Sequence, residues 1–154
     1  MTGSQAAASP SVQRTASRQV GLRQASLAIL ILLIAQFGLG MGVNLYVTLP
    51  TAGHPGHGSF FSNGLLLALH ATLGLFLLLS AIFVLVRAIR ARNAAVMVTS
   101  VAGLVAILGA VFFGSMFIDK LTDGYSLGMA LAFAAALACY AVGLYAASTR
   151  RGSS

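Results

Sequence analysis

Acid is almost absent from this chain. Only two of its 154 residues are Asp or Glu, and both are aspartates, Asp119 and Asp123. No carboxylate falls inside a long apolar run, which removes the intramembrane acids that proton-coupled transport ordinarily uses. The two aspartates lie four residues apart, a spacing open to a general acid/base pair. No nucleophile or positioned base accompanies them, so DKLTD reads as a solvated connector. Cysteine is nearly as scarce. Cys139 stands alone, which excludes an intramolecular disulfide and any CxxC site. It lies within an apolar run, where a thiol behaves as a small hydrophobe. The chain also has no P-loop, no GxSxG and no HExxH, so nothing points to an enzyme.

Charge of either sign is the third scarcity. Charged residues make up 7% of the chain and hydrophobic residues 58%, whereas a soluble domain carries about 25% charged residues. So few charges cannot build a water-facing surface. The net charge of +7 would suggest nucleic acid in a soluble protein. Here the arginines flank apolar runs, with no basic-aromatic repeat, so no nucleic-acid partner is expected. The lipid bilayer is the expected partner, with anionic headgroups attracting the basic ends.

What remains is long and apolar. No Asp, Glu, Lys or Arg occurs over 24–86, 93–118 or 124–149. Four spans follow, at about 25–48, 63–86, 94–118 and 124–148, the first ended by Pro50. At about 1.5 Å per residue each is long enough for a hydrocarbon core of about 30 Å. In lipid a span must satisfy its own backbone, which dictates helix. The fold class is therefore an all-α membrane protein with four transmembrane helices in an antiparallel up-down bundle. Residues 1–23, rich in Ser, Ala, Gln and Thr, read as a flexible cytoplasmic tail. Residues 24–149 form the membrane domain and 150–154 a second cytoplasmic tail. The first run is too long for a signal-peptide core and reads as an uncleaved anchor.

Orientation comes from counting basic residues by side. With the N-terminus inside, Arg14, Arg18, Arg23, Arg87, Arg90, Arg92, Arg150 and Arg151 are cytoplasmic, against Lys120 alone outside. That bias places both termini in the cytoplasm and loops 49–62 and 119–123 outside. Stripes of small residues mark candidate helix contacts: Gly38 and Gly42; Ala102, Ala106, Ala110 and Gly114; and Ala135, Cys139, Gly143 and Ala147.

The candidate sites are few. His70 lies well inside the second span, and an intramembrane ionisable residue is a functional candidate because it is costly to bury. Two readings stand. One is a buried hydrogen bond to Gln36 or Asn44 of the first span, with Thr72 completing a polar bundle interior. The other is haem b, for which His70 supplies one axial ligand and Met41, at similar depth, the second. His54-Pro-Gly-His57 in the outer loop offers two imidazoles to Cu(II) or Zn(II), and reads more simply as a solvent-exposed Pro-Gly turn. The hydroxyls of Tyr140 and Tyr145 are expected to find Thr99 or Ser100.

The stretches Asn44–Pro50, His54–Gly56 and Leu69–Gly74 resemble small four-helix integral membrane proteins of bacteria, a group mostly described as uncharacterised. That resemblance implies four spans and little else, and carries no activity. Usage rich in Ala, Gly and Arg with one Lys suggests a GC-rich genome, so the expected location is the bacterial cytoplasmic membrane. The Leu-His-Ala-Thr-Leu-Gly segment also resembles helices of b-type cytochromes, but a second intramembrane histidine is missing here. The expected role is a non-enzymatic accessory or interaction subunit, in a larger membrane complex or a homo-oligomer, with no required cofactor. The alternatives are a haem- or metal-binding redox protein using His70, and a small oligomeric channel or carrier.

Overall fold

A computed structural model describes residues 10–47, 60–120 and 122–149. Among the described residues there are four helices and no strand: α1 (Pro10–Tyr46), α2 (Phe60–Arg90), α3 (Ala94–Lys120) and α4 (Asp123–Thr149). Each contains a stretch long and apolar enough to cross a membrane, Val20–Tyr46, Gly64–Arg90, Ala94–Lys120 and Asp123–Ser148. These lie within a few residues of the spans read from sequence.

The largest difference lies at the start of α1. This helix has 37 residues, about 55 Å of rise against a hydrocarbon core of about 30 Å. Part of what reads as a tail over 1–23 is thus helical from Pro10 onward. The physical reason is propagation. Proline is tolerated in the first turn because its missing N–H is needed by no partner there. Gln, Arg and Ala are good helix formers, and extending a helix already nucleated in the membrane costs little per residue. Packing then secures the junction: Leu22, 2% exposed, meets Ala88 and Val96 in a small core of its own.

Each helix packs on its neighbours in chain order, α4 closes back onto α1, and no diagonal pair meets among the described residues. The α3–α4 interface is the most extensive. Neighbours run antiparallel. Along α1 and α2, Gly21 faces Arg87, Gln36 faces Gly74, Gly40 faces His70 and Gly42 faces Leu66. Along α3 and α4, Thr99 faces Gly143, Gly103 faces Tyr140, Gly109 faces Ala132 and Phe113 faces Gly128. As one residue number rises, its partner's falls.

The main core joins all four helices through Ile29 and Leu33, Leu77, Ala81 and Val84, Ile107, and Ala136 and Tyr140. The outer faces are equally apolar: Ile34, Leu75, Val105 and Leu131 are 59–63% exposed. A bundle with Leu, Ile and Val on the outside as well as the inside suits lipid rather than water.

Side-chain size selects the inward face. In α3 the buried residues are Val96, Ser100, Gly103 and Ile107, so the contact face runs through Gly103, while Ala102 is exposed. In α4 it runs through Ala136, Tyr140 and Gly143, while Ala135 is exposed. In α1, Gly38 has open space beside it, and Gly40 and Gly42 make the close contacts. Of the stripes named from sequence, Gly42 and Gly143 lie on the packed face, whereas Gly38, Ala102 and Ala135 do not. Large knobs fill the glycine notches: the Tyr140 ring lies so close over Gly103 that a Cβ there would sit 2.6 Å from Cε2.

The α2–α3 turn is capped at both ends by three residues. The Asn93 amide donates to the Ala88 carbonyl (3.4 Å) and the Arg92 amide to that of Ile89 (3.0 Å), which is the Schellman pattern. Arg92 holds the left-handed position, with φ of 51°. Asn93 then caps α3, its Oδ1 accepting from the Val96 amide at 3.3 Å.

Candidate functional site

The polar centre of the membrane layer is a clamp between α1 and α2. Gln36 is 8% exposed. Its side-chain Nε2 donates to the backbone carbonyl of His70 at 3.0 Å and lies 3.3 Å from the ring Nε2 of the same residue. The contact to the carbonyl fixes the amide's orientation, because an amide oxygen would be repelled there. An NH2 facing the ring then requires Nε2 of His70 to accept, so the ring proton sits on Nδ1.

Two glycines make this approach possible. A Cβ on Gly74, four residues after His70, would stand 3.1 Å from Gln36 Nε2. A Cβ on Gly40, four residues after Gln36, would stand 3.1 Å from His70 Cε1. Each helix thus presents a polar residue and, one turn later, a notch that receives the other helix's polar residue. Two atoms stay buried without a hydrogen-bond partner, Gln36 Oε1 and His70 Nδ1.

The other sequence candidates lie apart from this clamp. Met41 is 43% exposed. Asn44 and Thr72 are also exposed, so of the polar set Gln36, Asn44, Thr72 and His70 only Gln36 and His70 meet. His54 and His57 lie outside the described residues. Among the described residues no group of three or more His, Cys, Asp or Glu side chains could hold a metal ion.

The tyrosine expectation is met by neither residue. Tyr145 is 71% exposed. Tyr140 is 2% exposed, yet its hydroxyl is buried without a partner. Thr99 turns its own hydroxyl back to the Ala95 and Val96 carbonyls, at 3.0 and 3.1 Å.

A second polar feature escaped the sequence reading. Near the arginine-bearing end, Ser17, Gly21 and Leu22 of α1, with Arg87, Arg90 and Ala91 at the end of α2, line an open cleft of about 470 Å³. Arg87 spans it, its Nη1 donating to the Gly21 carbonyl at 3.2 Å, with the guanidinium carbon 5.1 Å from the centre of the Phe83 ring. The arginines were legible as topology signals. Their convergence on Gly21 and Leu22, at the start of the apolar stretch of α1, and on Ser17 just before it, comes from helix packing, which a count of charges does not show.

At the opposite end Lys120 reaches the Tyr125 hydroxyl at 3.5 Å, and Thr122 closes the turn onto the Lys120 carbonyl at 3.1 Å. Comparison of the chain with protein-family models, with curated proteins and with solved structures finds no match in any of the three.

Proposed function

We propose that this chain is a non-enzymatic accessory subunit of the bacterial cytoplasmic membrane, with both termini in the cytoplasm, that docks its apolar outer faces on other membrane proteins. One observation carries the reading: Gln36, buried in the α1–α2 interface, and the half-buried His70 are each other's hydrogen-bond partners. Gln36 holds His70 at two points, which describes a scaffold that fixes the first hairpin. Around that scaffold all four helices turn large apolar side chains outward, among them Phe37, Leu79, Phe112 and Leu127 at 56–61% exposure. Such surfaces fit lipid and partner helices equally, and association in lipid rests on packing and interhelical hydrogen bonds. The orientation rests on the positive-inside bias.

The test is purification of the tagged full chain from its native membrane in a gentle detergent. Recovery with other membrane proteins in fixed ratio is the expected result. Recovery of a homo-oligomer alone would favour the channel or carrier reading. Labelling of single cysteines introduced near residues 3 and 152, in a Cys139→Ala background, by a membrane-impermeant reagent checks the topology: both sites are expected to react only after the cells are opened.

A further inference from the structure

We propose that the cleft between α1 and α2 binds a phosphate ester, with Arg87 and Arg90 as its anion-recognising residues. Three observations converge on it. The cleft has the volume for a headgroup, about 470 Å³, and two of its six lining residues are arginines. Its floor is firm: Leu22 and Ala88 are 2% and 0% exposed and pack with Val96. The Arg87 guanidinium is held in place before any ligand arrives, by the Gly21 carbonyl on one side and the Phe83 ring on the other.

A guanidinium has five N–H donors in a planar fork that matches the oxygens of a phosphate. The bond to Gly21 uses one of them. Arg90, three residues further along the same helix, also lines the cleft and adds a second fork.

The charge at this end has no internal answer. Arg14, Arg18, Arg23, Arg87, Arg90 and Arg92 lie along the helices and the turn there, and the chain's only acidic side chains, Asp119 and Asp123, belong to the other end of α3 and α4. A helix of 27 residues separates the two ends by about 40 Å. The Debye length in physiological salt is about 8 Å, so those carboxylates do not neutralise the arginines. An external anion does. Gly21 contributes by its size: a Cβ there would stand 3.3 Å from Arg87 Nη1, tightening the approach that lets the guanidinium reach across.

The recognised chemistry is a phosphate ester, and its source is either a lipid headgroup or a free solute. Basic clefts between helices at the membrane surface suit the first. The experiment uses the full chain in dodecyl maltoside micelles, which carry no phosphate, doped with increasing phosphatidylglycerol, and reads the thermal midpoint. A saturable rise is expected. Arg90→Gln should weaken the apparent affinity several-fold, and Arg87→Gln with Arg90→Gln should abolish the rise. Arg150→Gln with Arg151→Gln removes the same charge elsewhere and should leave the rise intact.

Because Arg87 also ties α1 to α2, Arg87→Lys serves as a second variant. It keeps the charge but lacks the planar fork, and should bind more weakly than the wild type while still folding. Glycerol 3-phosphate added to undoped micelles is the solute arm. A saturable shift with that solute, lost in the Arg90→Gln variant, assigns the cleft to a soluble phosphate ester; a shift confined to phosphatidylglycerol assigns it to lipid. The proposal is overturned if neither probe shifts the midpoint saturably, or if the Arg150/Arg151 variant loses as much as the cleft variants.

Discussion

Gln36 grips His70 twice, through the backbone carbonyl at 3.0 Å and the ring Nε2 at 3.3 Å. The pair is one polar contact of the α1–α2 interface, and Arg87 on the Gly21 carbonyl is another. Interhelical hydrogen bonds of this kind contribute about 0.6 kcal/mol on average in membranes and up to about 1.7, because the helices find other partners when apart. A double-mutant cycle of Gln36→Leu and His70→Leu in detergent should return a coupling within that range. Additive losses would mean that the two side chains do not act as a pair.

The flanking glycines give a steric test of the same contact. Gly40→Ala and Gly74→Ala each bring a methyl to 3.1 Å from the facing residue, so α1 and α2 must separate or the clamp must reorient. Gly38→Ala meets nothing within 4 Å and gains helix propensity of about 1 kcal/mol. The expected order of thermal midpoints is Gly38→Ala at or above wild type, with both Gly40→Ala and Gly74→Ala below it. If Gly38→Ala proved the most damaging, α1 would be packing through a different face.

His70 also bears on the haem b reading. A ring whose Nε2 accepts from Gln36 must give up that bond to ligate iron through this nitrogen, and Met41 lies on an exposed part of α1. As an accessory subunit the protein should purify without a Soret band from cells supplied with haem. A Soret band that disappears in both His70→Ala and Met41→Ala would instead establish the redox reading, and the ligand pair with it.

Much of this architecture was written in the charges. Runs without Asp, Glu, Lys or Arg place four helices, and Arg87 to Arg92 and Asp119 to Asp123 mark two of the turns. The inward face was harder to read. In water an amphipathic period points to the core, but in lipid both faces are apolar and the period vanishes. Size then decides, and several overlapping small-residue stripes fit each helix. That is why Ala102 and Gly103 compete on paper, and only the facing Tyr140 separates them. The Gln36–His70 bond was one of two legible pairings. What favoured it over Asn44 was a signal in plain view, a polar residue followed four later by glycine in both helices, Gln36 with Gly40 and His70 with Gly74. The beginning of α1 lay beyond hydropathy altogether, since a helix outside the bilayer is encoded by propensity and not by apolar length.

The Gly103–Tyr140 contact predicts opposite outcomes for two small changes. Gly103→Ala puts a methyl where the Tyr140 ring already sits, 2.6 Å from Cε2. Neither the helix backbone nor a ring buried to 2% exposure yields easily, and overpacking costs about 1–3 kcal/mol. Tyr140→Phe removes a hydroxyl that is buried without a partner. It should be neutral or stabilising by up to about 1 kcal/mol, since an unsatisfied polar group is itself a cost. Thermal unfolding followed by circular dichroism reads both. A clear loss in Tyr140→Phe would reveal a partner for the hydroxyl.

The α2–α3 turn offers the last test, in two directions at once. Arg92 occupies a left-handed conformation with φ of 51°, where glycine is the favoured residue because it has no Cβ to meet the following carbonyl. Its neighbour Asn93 caps α3 through the Val96 amide, and its backbone carbonyl accepts from the Met97 amide at 2.9 Å. Arg92→Gly should therefore stabilise the hairpin by about 0.5–1 kcal/mol, relief of the left-handed cost less the entropy glycine loses on folding. Asn93→Ala should destabilise it by about 1 kcal/mol, because an N-terminal amide loses its acceptor. The two changes are adjacent but act on different helix ends, so the double variant should fall near the wild type. Stability measured in a neutral detergent separates this backbone effect from any charge effect of Arg92 at an anionic surface. Adding phosphatidylglycerol should then narrow the advantage of Arg92→Gly, because the wild-type arginine gains roughly 1 kcal/mol from anionic headgroups that glycine does not.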